Sequence, residues 1–218
     1  MKFFLILILS LSLSIAAFAQ ADSLGFTNKA EAENKMVNGL KEGKWCEGID
    51  SGYDSPLDDG LVLEVRYYRL AIYRHGIPVG IVRDYNINTG KLWRETPYIN
   101  GVISGIYKEY FIGGKPDKVM LRVQIPYQQD KENGILKRYY FTGELNEVRG
   151  YVKGTWNEVD TMFYKSGKVM IVTEYGKYRK KIILKEYYEN GKLKSQTILK
   201  NGVFKSGKSY DESGNEIK

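Results

Sequence analysis

The chain has 218 residues, 43% hydrophobic and 27% charged, with 18 tyrosines against 8 phenylalanines and a formal net charge of +7. The charges are mixed along the chain; the densest basic run is Lys177 to Lys181, which excludes a nucleic-acid-binding tail. A lone cysteine, Cys46, excludes an intramolecular disulfide framework and reads as a small packed residue.

In chain order, residues 1–19 read as a secretory signal peptide. Lys2 precedes an apolar stretch from Phe3 to Phe18, and Ala17-Phe18-Ala19 supplies the small residues of a cleavage site between Ala19 and Gln20. The run falls slightly short of the roughly 20 apolar residues that span a bilayer. The expected destination is therefore the periplasm, the cell surface or the medium. Residues 20–37 form an N-terminal segment. Within Thr27 to Leu40, Ala30, Ala32, Met36 and Val37 give the spacing of a short helix.

From residue 38 to 218 one pattern returns. Tyr139-Tyr140-Phe141-Thr142-Gly143 is echoed by Phe163-Tyr164-Lys165-Ser166-Gly167 and by Tyr187-Tyr188-Glu189-Asn190-Gly191. The turn glycines are Gly90, Gly114, Gly143, Gly167, Gly191 and Gly214, at intervals of 24, 29, 24, 24 and 23 residues. A period of about 24 residues marks a repeat architecture. A second turn slot is filled by Asn38-Gly39, His75-Gly76, Asn100-Gly101, Lys153-Gly154 and Asn201-Gly202. Asn-Gly suits the positive φ of tight hairpins, and the stretches between turns are β-branched and aromatic. The expected fold is all-β: an elongated antiparallel meander of about six stacked hairpins. Ser51 to Gly60, with Pro56 and three aspartates, reads as a loop before a strand over Leu61 to Tyr73. Gln124 to Lys131, with Pro126, is the expected place of a bulge or protruding loop that absorbs the long interval.

Aligned repeats place Arg83, Lys108, Lys137 and Lys185 in one column and Tyr85, Tyr110, Tyr139 and Tyr187 in another, on the same face of their strands. This basic and aromatic face is the candidate binding surface, suited to a glycan or anionic lipid headgroups. No catalytic, metal or cofactor residue is singled out. His75 is the sole histidine and occupies a turn slot. Asp54, Asp58, Asp59 and Glu64 match no calcium-loop spacing.

Asn38-Gly39-Leu40-Lys41-Glu42-Gly43-Lys44-Trp45 and Tyr187-Tyr188-Glu189-Asn190-Gly191-Lys192-Leu193 resemble the MORN-repeat variant family, whose bacterial members are often labelled YwqK-type antitoxin components. The resemblance covers residues 38–218 and is weakest from Cys46 to Tyr73. It implies a meandering sheet of hairpins and protein contacts, an antitoxin-like hold on a partner included. It carries over no specific functional residue. The expected protein is a non-enzymatic exported scaffold, without nucleic acid or cofactor, present as a monomer or a weak edge-paired dimer.

Overall fold

The computed structural model describes residues 24–49, 67–113 and 119–217. The expected signal peptide, its expected cut between Ala19 and Gln20, the expected Ser51 to Gly60 loop and residues 61–66 of the expected strand lie outside these. The fold is all-β, with seventeen strands among the described residues running as an open antiparallel hairpin meander. The chain divides into two compact units. In the first, β1 (Lys35–Val37), β2 (Leu40–Ile49), β3 (Tyr67–Arg74), β4 (Ile77–Asn86), β5 (Leu92–Ile99) and β6 (Val102–Ile103) pair in sequence. The second begins with β7 (Gly105–Phe111), β8 (Met120–Gln128), β9 (Lys131–Glu132), β10 (Gly134–Tyr139) and β11 (Leu145–Val152). It continues through β12 (Thr155–Phe163), β13 (Val169–Tyr175), β14 (Lys181–Tyr187), β15 (Leu193–Lys200), β16 (Val203–Tyr210) and β17 (Glu216–Ile217).

Two reversals alternate. The five two-residue turns expected from sequence all place both residues at positive φ, from Asn38 at 51° and Gly39 at 77° to Asn201 at 51° and Gly202 at 75°. Two more turns share this conformation without glycine: Gln129-Asp130 at 50° and 60°, and Tyr178-Arg179 at 56° and 54°. The other reversal spans five residues, as in 140–144, 164–168 and 188–192, after a register shift at Tyr139, Phe163 and Tyr187. Its glycine N–H closes the turn: Gly143 donates to Tyr140 O, Gly167 to Tyr164 O and Gly191 to Tyr188 O. The aromatic-to-glycine motif is thus a bulge followed by a closed loop.

A hydroxyl relay links these loops. Tyr140 donates to the carbonyl of Phe163, Tyr164 to that of Tyr187 and Tyr188 to that of Tyr210, over 2.7, 2.7 and 2.8 Å. The second aromatic of each pair therefore ties its repeat to the next. The last loop has Asp211 in that slot, accepting from Asn215 instead.

Two expectations are corrected. The short helix within Thr27 to Leu40 is absent. Lys29–Glu31 makes one 3-10 turn capped by Asn28, and β1 then pairs with β2 across Asn38-Gly39. Asn34, at φ 49°, is left-handed and accepts from Cys46 N, so local asparagine chemistry overrides a helical spacing too short to propagate. Of the two alternatives expected for Gln124 to Lys131, the protruding loop is absent, since the segment is β8, its turn and the start of β9, while the irregularity expected at Pro126 is present as a register shift. Pro126 lies within β8, its carbonyl accepting from Asn133, and the ladder is interrupted opposite it, beside Gly134. The extra chain falls instead between β7 and β8, where residues 112–119 replace the usual five.

The first unit is packed on both faces of β3. Leu70 and Ile72 point to one face with Phe26, Cys46 and Tyr85; Ala71 and Tyr73 point to the other with Val82, Trp45 and Tyr98. The segment before β1 covers the Leu70 face. It comes so close that a Cβ on Gly25 would sit 2.1 Å from Ile81 O, and Gly25 has φ +65°. Only glycine fits there. In the second unit the buried apolar residues are Val123, Ile125 and Leu136, and none lies beyond β10 among the described residues.

Candidate interaction surface

The eight residues of the expected binding face divide between the units. In the first, Arg83 donates to Glu95 at 2.9 Å and to the carbonyls of Leu24 and Phe26 at 2.8 and 3.3 Å. Tyr85 stacks on Tyr68 with centroids 5.1 Å apart, and burial pushes its hydroxyl pKa up. This part of the column holds down the covering segment and is not an open surface. In the second unit, Lys185 donates to Glu174 at 2.6 Å, and Tyr187 lends its carbonyl to the relay. Lys137 is half-buried on a strand face opposite Gln124 and Val148. Lys108, Tyr110 and Tyr139 are half-buried too, and desolvation raises the Tyr139 hydroxyl.

The buried acids Asp84, Glu109, Glu147 and Asp160 are paired with arginines from neighbouring strands. In the first unit Glu47, Arg69, Asp84 and Arg94 stand directly opposite one another across β2 to β5. Asp84, 1% exposed, accepts from Arg69 at 2.7 Å and from Arg94. Burial alone would lower the Arg69 pKa, but the Asp84 carboxylate outweighs it and the net shift is upward. Burial pushes the Glu47 carboxyl up, but Lys41 and Tyr73 donate to it and leave its pKa lowered from the ordinary 4.5. In the second unit Arg122 pairs with buried Glu109 at 2.8 Å, and Arg138 with Glu147 at 2.7 Å. Arg149 sits 2.7 Å from both Glu147 and Asp160. Burial raises the Glu147 pKa, and the nearby Asp160 carboxylate adds to the rise while Arg138 opposes it. These pairs are structural: each buried charge meets its opposite.

A different surface emerges where the two-residue turns of the second unit gather. Backbone bonds from Gly154 to Glu132 and from Asn201 to Lys180 join successive turns. This end carries Lys131, Lys153, Lys177, Arg179, Lys180, Lys181 and Lys200 against Asp130 and Glu132. It also leaves large apolar groups in solvent: Tyr178 is 80% exposed, Phe204 62%, Val203 60% and Val152 55%. Trp156 is held by two guanidinium groups, Arg149 at 4.2 Å and Arg179 at 4.0 Å from the ring centroid. Neither Tyr178 nor Arg179 of this turn is glycine, and the cation–π contact offsets only part of their left-handed strain. Beside Trp156, Ile135, Val148, Asn157, Val159 and Thr161 line a shallow groove of about 680 Å³.

Sequence reasoning missed this end because it followed the first aromatic of each repeat and the glycine of each turn. The signal was present in the spacing: Asp130 lies 24 residues before Gly154, and Arg179 lies 23 before Gly202. No group of His, Cys, Asp and Glu among the described residues could hold a metal ion. No described helix is long and apolar enough to cross a membrane. No protein-family model and no curated protein matches the chain.

Proposed function

We propose that the protein is a non-enzymatic, exported repeat scaffold that holds another protein in the cell envelope. One observation carries the reading: the two-residue-turn end of the second unit exposes Tyr178, Val203 and Phe204 among seven basic residues. Aromatic and aliphatic groups left in water beside charge are what a protein partner desolvates. The MORN-variant resemblance agrees with that role, and the signal-like N-terminus supports the location. Cross-linking and affinity capture from envelope fractions test it. One reproducible partner, lost when Tyr178 and Phe204 are both changed to serine, is expected. The same partner retained by that variant, or no partner at all, rejects the reading.

The basic excess at this end favours a second reading, an anionic glycan or headgroup bound by Lys153, Lys177 and Arg179. Glycan arrays and anionic liposome pull-downs separate it from the first. Binding that survives Lys177→Glu with Arg179→Glu removes this second reading.

A further inference from the structure

We infer that the groove beside Trp156 is the seat for a tyrosine on an extended segment of a partner protein, laid on the second unit as residues 24–34 are laid on the first. The inference rests on the protein-binding role and names the contact. The hairpins β3–β4 and β11–β12 turn at His75-Gly76 and Lys153-Gly154, which lie 78 residues apart. Aligned on those turns, Val148 takes the place of Leu70 and Thr161 that of Arg83; Leu70 pairs with Arg83, and Val148 with Thr161. Gly150, Asn157 and Val159 fall at the places of Ile72, Val79 and Ile81. In the first unit these places hold a ring: Phe26, 5% exposed, packs with Leu70, Ile72 and Val79. Its backbone is tied down beside it, with Gly25 against Ile81 O and Arg83 donating to the carbonyls of Leu24 and Phe26. In the second unit the five matching residues line the groove. Ile135 borders it, paired with Gly150 as Lys44 is with Ile72, and Ile135 and Val159 are 47% and 46% exposed. The first unit thus shows what covers this face of the hairpin.

The side chains that differ between the two seats select the occupant. Gly150 is bare where Ile72 is bulky, and Val148 is smaller than Leu70, so the second seat is wider. The Asn157 amide leans over Gly150, its nitrogen 2.1 Å from the place a Cβ would take. Thr161 brings a hydroxyl in place of the Arg83 guanidinium, and Lys137 pairs with Val148 where Cys46 pairs with Leu70. A plain phenyl ring would desolvate these polar groups without bonding them. A phenol fills the same space and carries a hydroxyl that both donates and accepts. The carbonyls of an extended segment meet Thr161 and Lys137 as those of Leu24 and Phe26 meet Arg83. A second copy does not supply the occupant: residues 24–34 contain no tyrosine and are already seated on their own first unit. Aromatic anchors in pockets of this kind carry most of the energy of an interface.

The test uses the whole mature chain and three synthetic peptides: a copy of residues 24–34, the same with Phe26→Tyr, and the same with Phe26→Ala. The tyrosine peptide is expected to bind best and to slow amide hydrogen exchange at residues 148–150 and 157–161. In the protein, Val159→Glu changes an exposed side chain and, folded as judged by circular dichroism, should weaken that binding on the order of tenfold. Ile135→Ser, on the neighbouring strand, should weaken it in the same sense. Equal binding of the tyrosine and alanine peptides, tighter binding of the phenylalanine peptide, or protection elsewhere in the chain overturns the seat. So does unchanged binding in both variants. Light scattering that shows a dimer abolished by Val159→Glu gives the groove to a second copy, and a glycan that protects 157–161 where the peptide does not gives it to a sugar; either overturns the proposal. An envelope partner captured equally by wild type and Val159→Glu overturns the seat and leaves the scaffold standing. Absence of any captured partner removes the scaffold, and the seat with it.

Discussion

Strands β3 and β4 of the first unit and β13 to β16 of the second are built from the same hairpin, yet they are buried very differently. In β3, Leu70 and Ala71 are both 0% exposed although they face opposite ways. In β13 and β14 no described residue is buried, and in β16 all but Tyr210 are exposed. The difference does not lie in the repeat. It comes from what is laid over it: residues 24–34 before β1, fastened by Arg83 on one face, and a layer of aromatic rings on the other. A repeat motif therefore specifies strands and turns, whereas burial and stability depend on side chains outside the motif.

The sharpest way to break this contrast is to remove a buried carboxylate. Asp84→Ala leaves Arg69 and Arg94 without their shared partner and should cost about 3–5 kcal/mol. Glu216→Ala, at an exposed pair with Lys208, should leave stability nearly unchanged. Urea denaturation of both variants reads the pair of values, and equal effects would dissolve the distinction between units. Next in size is Gly25→Ala. Its Cβ would collide with Ile81 O, so the covering segment should lift at a cost on the order of 2 kcal/mol. Faster hydrogen exchange at Leu70 and Ile72, with β13 to β16 unaffected, is the expected signature.

In the second unit Tyr164→Phe removes one rung of the relay and should cost about 1 kcal/mol. A smaller change, in the opposite direction, is expected for Tyr178→Asn with Arg179→Gly. Relief of left-handed strain, roughly 1–2 kcal/mol per residue, outweighs the lost contact with Trp156, roughly 0.5–1 kcal/mol. Thermal unfolding should show a small net gain; a loss would mean the guanidinium grip dominates. The gentlest probe is acid. Burial pushes the Glu47 carboxyl up, but its bonds to Lys41 and Tyr73 bring the folded value below 4.5. Its contribution is complete above 4.5 and disappears as pH falls through the folded value. Glu147 is displaced the other way by burial, so between 4.5 and its folded value rising pH weakens the second unit. Glu47→Gln should flatten the acid loss of stability that hydrogen exchange reports for β2 and β3, and leave β11 and β12 unchanged.

Much of the fold was legible because turn chemistry is local. Asn38-Gly39, Asn100-Gly101 and Asn201-Gly202 declare their conformation in two letters, and the intervals between aromatic turns give the period. Gln129-Asp130 and Tyr178-Arg179 adopt the same conformation with residues that do not advertise it, so only counting could have found them. The basic and aromatic columns were also legible, since side chains two apart share a face. Their fate was not. That Arg83 would turn to the carbonyls of Leu24 and Phe26, 59 and 57 residues earlier, depends on a tertiary contact without periodic trace. The acids at Asp84 and Glu109 showed which strand face they occupy, and only the register revealed their arginines.

The tyrosine relay has a consequence for how such a chain can grow. Each rung needs only a hydroxyl in one loop and a carbonyl in the next. Excising residues 164–187 would place Tyr188 directly after Phe163, leaving Tyr140 its acceptor and Tyr188 its own at Tyr210. Duplicating the same 24 residues would insert one matched donor and one matched acceptor. Whole modules can thus be gained or lost by recombination without orphaning these hydroxyls and carbonyls, whereas Asp211, which accepts from Asn215 within its own loop, has no hydroxyl to pass on.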